Sequence, residues 1–313
     1  MKIRNATKRE WIDIVDNCTN TTFFHTYEWY KVWSEYHNCR MLAKLITMEE
    51  KQTAILPLLH KNFAKGLGNQ YISSPSGTYG GILSNNKFID HKKILKVIFG
   101  RKNYNIVYPP KINIKADFYD HTYVLYLDSL NEGEITKNWS RSHKRNYKKA
   151  IEEITNYKFY QTENNSDWKE YYDLYHDFYY AKNNSYKNCY RNNLFPLIKD
   201  IIPQANRSLY ILKIKNKIIA GQLLFSYNKT ATLWNGIVDS KYKLHGTTHL
   251  FNYQLIKNLI RNKYTSIDFS PSNRNAGVEH FKKEYGTTKI KIPVITNHNL
   301  LAKAYRLYLN LRR

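Results

Sequence analysis

The densest chemistry in this chain is cationic. Between Ile135 and Ala150 the sequence reads ITKNWSRSHKRNYKKA, which places Lys137, Arg141, Lys144 and Lys148 at i, i+4, i+7 and i+11. Steps of three and four residues put such side chains on one stripe of a helix. Arg145 and Lys149 widen the stripe, and no acid interrupts it. Like charges at this spacing repel, so a bound anion would offset what the bare helix loses. Phosphate is the anion that suits the pattern; the plainer alternative is a solvated basic face. Ile135, Trp139, Ala150 and Ile154 fall on another side and are expected to face a core.

Other chemistries find less support. Cys18, Cys39 and Cys189 stand far apart, with no CxxC pair and no metal-ligand spacing, which fits a reducing, cytoplasmic setting. His245 and His249 are four apart, but an HExxH site needs Glu where Gly246 stands, and no third ligand is evident. They read as histidines at a helix start, and no metal is expected. No GxSxG elbow occurs and the cysteines lack a supporting context, so no covalent acyl-enzyme is implied. Tyr171, Tyr172, Tyr175, Tyr179 and Tyr180 recur at helical spacing and read as core and interface residues rather than a base-stacking platform.

The elements that must position these groups can be read from the pattern. The chain has 313 residues, 42% of them hydrophobic and 15% aromatic, enough for two domains or one large one and too apolar for wholesale disorder. Lys and Arg total 49 against 25 acids, a net charge of +24. AT-rich coding bias raises lysine, but it should raise glutamate too. The balance therefore favours a polyanionic partner such as RNA, DNA, an acidic membrane surface or a phosphorylated metabolite. The N-terminus runs into a polar helix pattern without a signal-peptide core, and the apolar stretches 54–59 and 218–225 are too short to span a bilayer. A soluble protein is expected, cytoplasmic or held peripherally by charge at the inner face of the cell membrane.

Thr7-Lys8-Arg9-Glu10 is a capping box opening a helix to about 17, and a second helix spans 26–37. Strands follow over 41–47 and 53–60, joined by a turn at Glu49-Glu50-Lys51, then a Ser/Pro/Gly loop over 73–81, a helix over 90–99 and strands at 105–108 and 123–127. The second half repeats that rhythm. It has helices at 167–182 and 190–201, strands at 209–215, 218–227 and 230–238, and a long amphipathic helix over 247–262. A strand at 266–269, a helix at 278–285, a strand at 289–295 and a basic helix over 298–313 close it. The repetition suggests a tandem duplication of one α/β (α+β) unit. The expected division is 1–134, a basic connecting helix and linker over 135–165, and 166–313.

Several short motifs carry a family resemblance. They are Phe24-His25-Thr26-Tyr27-Glu28-Trp29, the WSRSHKRNYKKA segment, Ala220-Gly221, Ile267-Asp268-Phe269-Ser270-Pro271-Ser272-Asn273, and Gly277-Val278-Glu279-His280-Phe281-Lys282. With these the chain resembles the Fem-type aminoacyltransferases and the wider Fem-like acetyltransferase family over nearly its full length. The resemblance implies two tandem GNAT-like domains, each a mixed, largely antiparallel sheet flanked by helices. It also implies acyl transfer to an amine or hydroxyl, for which direct attack needs a neutral nucleophile, a positioned carbonyl and donors for the developing oxyanion.

Carried across residue by residue, Phe281-Lys282 matches the family's pair near the donor's acyl end, where Lys282 would stabilise negative charge. Asp268, at a strand end, either accepts a proton or caps the following loop. Tyr71 matches an acceptor-site tyrosine, but the family's Arg-Gly-Pro-type loop with its carboxylate is replaced by Ile72-Ser73-Ser74-Pro75-Ser76-Gly77, without an acid or base. In the stretch Lys243-Leu244-His245-Gly246-Thr247-Thr248, which would cradle a CoA pyrophosphate at a helix N-terminus, Gly246 alone keeps the GNAT turn.

The leading expectation is transfer of an aminoacyl group from aminoacyl-tRNA to an amine or hydroxyl of a cell-envelope glycan or its precursor. Arg141, Lys144, Arg145 and Lys148 would hold phosphate, since a polyanionic donor rewards this charge by counterion release. The alternatives are acyl-CoA-dependent N-acylation of an amino-sugar or polysaccharide precursor, and a non-catalytic RNA-binding module on the same scaffold. No tightly bound cofactor and no DNA partner are expected. Expected partners are tRNA, a phosphorylated or lipid-linked glycan precursor, and an acidic membrane surface.

Overall fold

The computed structural model describes residues 1–48, 52–63, 68–85, 89–100, 102–110, 112–183, 189–272 and 274–297. The expected turn at 49–51 and the basic helix over 298–313 lie outside them. In chain order the elements are β1 (Lys2–Asn5), α1 (Lys8–Asn17), α2 (Tyr27–His37), β2 (Arg40–Thr47), β3 (Thr53–Phe63), β4 (Gly68–Ile72), α3 (His91–Phe99), β5 (Tyr104–Val107) and β6 (Phe118–Tyr126). Then come α4 (Arg141–Glu153), β7 (Tyr157–Thr162), α5 (Asn165–Asn183), α6 (Leu194–Ile201), β8 (Arg207–Ile214), β9 (Lys217–Tyr227) and β10 (Thr230–Val238). The chain closes with α7 (Thr247–Arg261), β11 (Ser266–Asp268), α8 (Ala276–Lys283) and β12 (Thr288–Asn297).

Two compact units result. One is Met1–His121 with the chain from Ile290 onward, and the other is Thr122–Lys289. This differs from a linear division at 134 and 165. Pairing explains it, because Tyr126 of β6 lies opposite Ser266 of β11, while Val294 of β12 lies opposite Val107 of β5. The segment 122–165 thus belongs with the second unit, and the chain returns to the first near its end.

In the first unit β1 to β4 form an antiparallel sheet in sequence order. The capping box at Thr7 is present: the Glu10 amide donates to Thr7 Oγ1 at 3.3 Å, and the Thr7 amide to Glu10 Oε2 at 2.8 Å. Leu56, Leu58, Leu95, Phe99, Ile106 and Ile295 belong to one buried cluster. The Ser/Pro/Gly loop is packed from within. Tyr30 Oη donates to the Ser73 carbonyl, Ser73 Oγ donates to the Pro57 carbonyl at 3.1 Å, and Ser73 Oγ accepts from the Gly81 amide at 2.8 Å.

In the second unit the strands run β6-β11-β10-β9-β8-β7, and only the β10–β11 pairing is parallel. β9 is buried along nearly all its length, as its apolar run Ile218–Phe225 requires of a central strand. Helix pair, meander, helix and strand occur in both units, as α1-α2-β2-β3-β4-α3-β5 and as α5-α6-β8-β9-β10-α7-β11. β1, β4 and β7 are additions to the sequence expectation; β1 is mostly exposed and carries no apolar alternation to announce it. Among the described residues no helix is long and apolar enough to cross a membrane.

The basic segment departs from the expected helix. It begins at Arg141, because Ser140 Oγ accepts the His143 amide at 3.2 Å and caps it there. Lys137 lies before the cap, and the Lys144 ammonium reaches back to its carbonyl at 2.7 Å. Ile135, Trp139, Ala150 and Ile154 are all buried in one cluster, as expected.

Among the described glycines of this unit, Gly246 lies closest to a neighbouring backbone. Its φ of 71° is left-handed, and a Cβ there would lie 2.1 Å from the Asn146 carbonyl oxygen of α4. The glycine lets α7 begin against the backbone of α4. Gly246→Ala is therefore expected to cost about 3 kcal/mol, from backbone strain plus the forced separation of the helices. The check is the urea midpoint of the variant against the parent at unchanged slope.

Candidate active site

The site grows from two strands that part. β10 pairs with β11 in parallel only over Thr230–Thr232 and Ser266–Asp268. β11 then stops, whereas β10 continues along β9 to Val238, with a register shift between Leu233 and Asn235 that leaves Trp234 as the bulged residue. A cavity of about 470 Å³ opens there. Leu233, Trp234 and Gly236 of β10 line it with Phe269, Ser270 and Pro271 beyond β11, Thr248, Phe251 and Asn252 of α7, and Val278, Phe281 and Lys282 of α8. Gln222 of β9 enters across Gly236, where a Cβ would lie 2.4 Å from its Oε1.

The parting is held open by hydrogen bonds. Ser270 has a left-handed φ of 63°, and its amide donates to Asp268 Oδ1 at 2.8 Å. Ser270 Oγ donates to the Leu233 carbonyl, so it bridges the gap from β11 to β10. The Lys282 ammonium donates to the carbonyls of Ser270 at 2.7 Å and Pro271 at 3.3 Å. These contacts fix the loop against α8 instead of continuing the ladder.

The wall is aromatic and cationic. Among the described residues its polar members are Gln222, Thr248, Asn252, Ser270 and two lysines, Lys243 and Lys282, with no carboxylate or imidazole. Thr248 lies in the first turn of α7, where backbone N–H groups and the helix dipole favour negative charge. Such a wall suits an acyl group joined to an anionic carrier. It offers no general base of its own.

Of the residues singled out from sequence, Phe281 and Lys282 line this cavity. Asp268 is buried beneath it, where its carboxylate accepts from Thr122 Oγ1 and the Ser270 amide. It is absent from the lining, and its bond to the Ser270 amide is of the kind that caps a loop. Gly246 stands at the start of α7 and sets how closely that helix meets α4. Arg141, Lys144, Arg145 and Lys148 stand together on one face of α4 with Lys149 and Glu152. Tyr71 belongs to the first unit, on β4. Its ring stacks on His60 at 4.7 Å, and Lys102 Nζ lies 5.1 Å from its centroid.

Sequence reasoning missed the layer behind Phe281. His143 of α4 and His249 of α7 are buried with ring centroids 4.4 Å apart and nearly perpendicular. Tyr285 packs against both, and its hydroxyl accepts from Asn252 Nδ2 at 2.8 Å. Burial pushes His249 down to about 4, helped by the neighbouring His143, while a bond to the Gly246 backbone opposes the shift. Burial likewise lowers His143, against the pull of Glu284. His143 stands four residues after Trp139 and seven before Ala150 in the sequence, and that spacing was the available signal. His245 does not share a helix with His249; it precedes α7, is exposed, and pairs with Glu153.

Residues 140–283 match the family described as acetyltransferase (GNAT) domain. The chain is similar in fold to the crystal structure of FemX, with a TM-score of 0.70 and 13% identity over 98% of this chain and 99% of that one. A tandem GNAT protein from the clavulanic acid biosynthesis pathway aligns at TM-score 0.55 and 8% identity, over 95% and 99%. The C-terminal domain of an Agrobacterium fabrum protein described as a lysylphosphatidylglycerol synthetase aligns at 0.61 and 9%, over 96% and 95%. No curated protein matches the sequence. Residues 140–283 thus carry a domain of the acetyltransferase (GNAT) family, and the chain as a whole shares the fold of FemX and of a tandem GNAT protein.

The buried histidine pair makes a prediction about acid. A histidine whose folded pKa is depressed leaves the unfolded chain binding more protons between about 4 and 6.5, so stability falls as pH drops through that window. For His249 the loss is on the order of 3 kcal/mol. His249→Leu should flatten the dependence of the urea midpoint on pH between 7 and 4, relative to the parent.

Proposed function

We propose that this acyltransferase takes an aminoacyl group from aminoacyl-tRNA and passes it to an amine or hydroxyl of a cell-envelope glycan or its precursor. The observation that carries the reading is the position of the basic face. Arg141, Arg145 and Lys148 are exposed on α4, and α4 packs its backbone on the first residue before α7, the helix that lines the cavity. From Arg141 to Lys148 the face runs about 10 Å along the helix, longer than a single pyrophosphate and suited to a short run of backbone phosphates. The names of the similar folds, FemX and a lysylphosphatidylglycerol synthetase, support a glycan- or lipid-linked acceptor.

In this reading the acyl end lies in the cavity between β10 and β11. The acceptor's nitrogen or oxygen attacks the carbonyl carbon, and the ester C–O bond to the donor breaks. The proton lost by the acceptor ends on the departing ribose oxygen. Lys282 favours the charge that develops on the carbonyl oxygen, and its bonds to Ser270 and Pro271 hold it in place. With no acid or imidazole in the described wall, proton movement passes through the reactants or solvent.

A second reading, acyl-CoA as donor, draws on a different observation. The start of α7 beside Gly246 can receive a pyrophosphate, and the wall has no carboxylate to hold an α-ammonium group. Binding of charged tRNA and of acetyl-CoA to nuclease-treated protein at physiological salt separates the two. Salt-sensitive binding of charged tRNA alone supports the first; binding of CoA alone replaces it with the second.

Reversing Arg141, Lys144 and Arg145 to Glu should weaken charged-tRNA binding and flatten the slope of log affinity against log salt by about 2 to 3. A salt-independent affinity in the parent would sink the electrostatic argument. Lys282→Met should lower kcat by about a hundredfold and stability by about 1 kcal/mol, since two part-buried carbonyls lose their donor. Unchanged turnover in a folded variant would favour a non-catalytic RNA-binding role.

A further inference from the structure

The turn Ser240–His245, which joins β10 to α7, is pinned at its base and bare at its tip. Asp239 anchors it: its amide donates to the Ile219 carbonyl at 2.8 Å, its Oδ1 accepts the Lys241 amide at 3.0 Å, and its Oδ2 meets Lys217 Nζ at 3.2 Å. Tyr242 turns inward onto the core of the second unit, and Thr247 Oγ1 donates to the Tyr242 carbonyl. Leu244 points the other way and is 83% exposed, the most exposed large apolar side chain among those described. Lys241, Lys243 and His245 surround it, all exposed. The basic face of α4 adjoins the turn through a chain of contacts, Lys149 to Glu153 at 3.7 Å and Glu153 to His245.

We propose that this turn docks the protein on an anionic lipid bilayer, with Leu244 entering the interfacial region and Lys241 and Lys243 meeting headgroup phosphates. Each part of the surface points to that partner. A nucleic acid rewards the lysines but gains nothing from a leucine held out among them. A protein groove requires a contiguous apolar patch, and here the apolar element is one side chain ringed by cations. A bilayer surface rewards both at once, through apolar burial at the headgroup boundary and the attraction of each cation to anionic lipid. The rigid base matters, because a pinned turn loses little conformational freedom when its tip is buried. Lys243 also lines the cavity, so docking would bring the cavity mouth to the membrane, where a lipid-linked acceptor resides. That consequence rests on the acyl-transfer reading; the docking does not.

The test is sedimentation of the full chain with vesicles of phosphatidylcholine alone and of equimolar phosphatidylcholine and phosphatidylglycerol. The protein is expected on the anionic vesicles and not on the zwitterionic ones. Leu244→Ser should lower the partition coefficient about tenfold, Leu244→Phe should retain it, and Lys241→Gln should lower it about fivefold. Turnover of Lys241→Gln with soluble donor and acceptor should equal the parent's. The proposal falls if the parent ignores anionic vesicles, or if Leu244→Ser partitions as the parent does. It also falls if the substitution weakens charged-tRNA binding instead, which would place the tip in the donor site. Loss of turnover in the parent itself would overturn the acyl-transfer reading while leaving the vesicle result standing.

Discussion

The second unit is organised around the point where Thr232 and Asp268 end the parallel pairing of β10 and β11. A strand edge stripped of its partner is costly unless something else meets its polar groups. Here Ser270 supplies part of that, with its hydroxyl on the Leu233 carbonyl, its own carbonyl on Lys282, and its amide on Asp268. The cavity is thus a gap whose rim is hydrogen-bonded and whose walls are Leu233, Trp234, Phe251, Phe269 and Phe281. Asp268 and Lys282 both serve that geometry. Only Lys282 also faces the space it creates.

The contact between α4 and α7 ties this pocket to the charge of the protein. Because Gly246 carries no Cβ, the carbonyl of Asn146 can sit against the residue that begins α7. His143 and His249 fill the adjoining interior as neutral rings, with Tyr285 against both and Asn252 linking Tyr285 to the cavity wall. Burial suits uncharged imidazole, so the same packing that supports the pocket is sensitive to acid. The basic side chains of α4 project from the outer side of this joint, and the exposed turn before α7 lies beside it.

The first unit has the same succession of elements and a different interior. Its Ser/Pro/Gly loop over 73–81 is bonded to Tyr30, Pro57 and Val107, and its polar atoms are spent on the fold. Tyr71 is likewise engaged with His60, Phe99 and Lys102. The lack of an acid in that loop, visible in the sequence, therefore coincides with a loop serving as packing.

Periodicity and capping determined most of the secondary structure from sequence alone. The Thr7–Glu10 box, the apolar run of β9 and the amphipathic α7 are local patterns, set by neighbours along the chain, and they stand where the pattern put them. The cationic stripe was legible for the same reason, although its first turn was lost to the Ser140 cap. What the sequence left undecided depends on contacts between distant segments. The assignment of 122–165 and of β12 to their units follows from strand pairing across more than a hundred residues. The burial of Asp268 beneath the loop, the clamp made by Lys282 and the meeting of His143 with His249 all require strands and helices already packed. A single residue's type names the chemistry it is capable of; whether its atoms reach a cavity, a carbonyl or another ring is settled by packing.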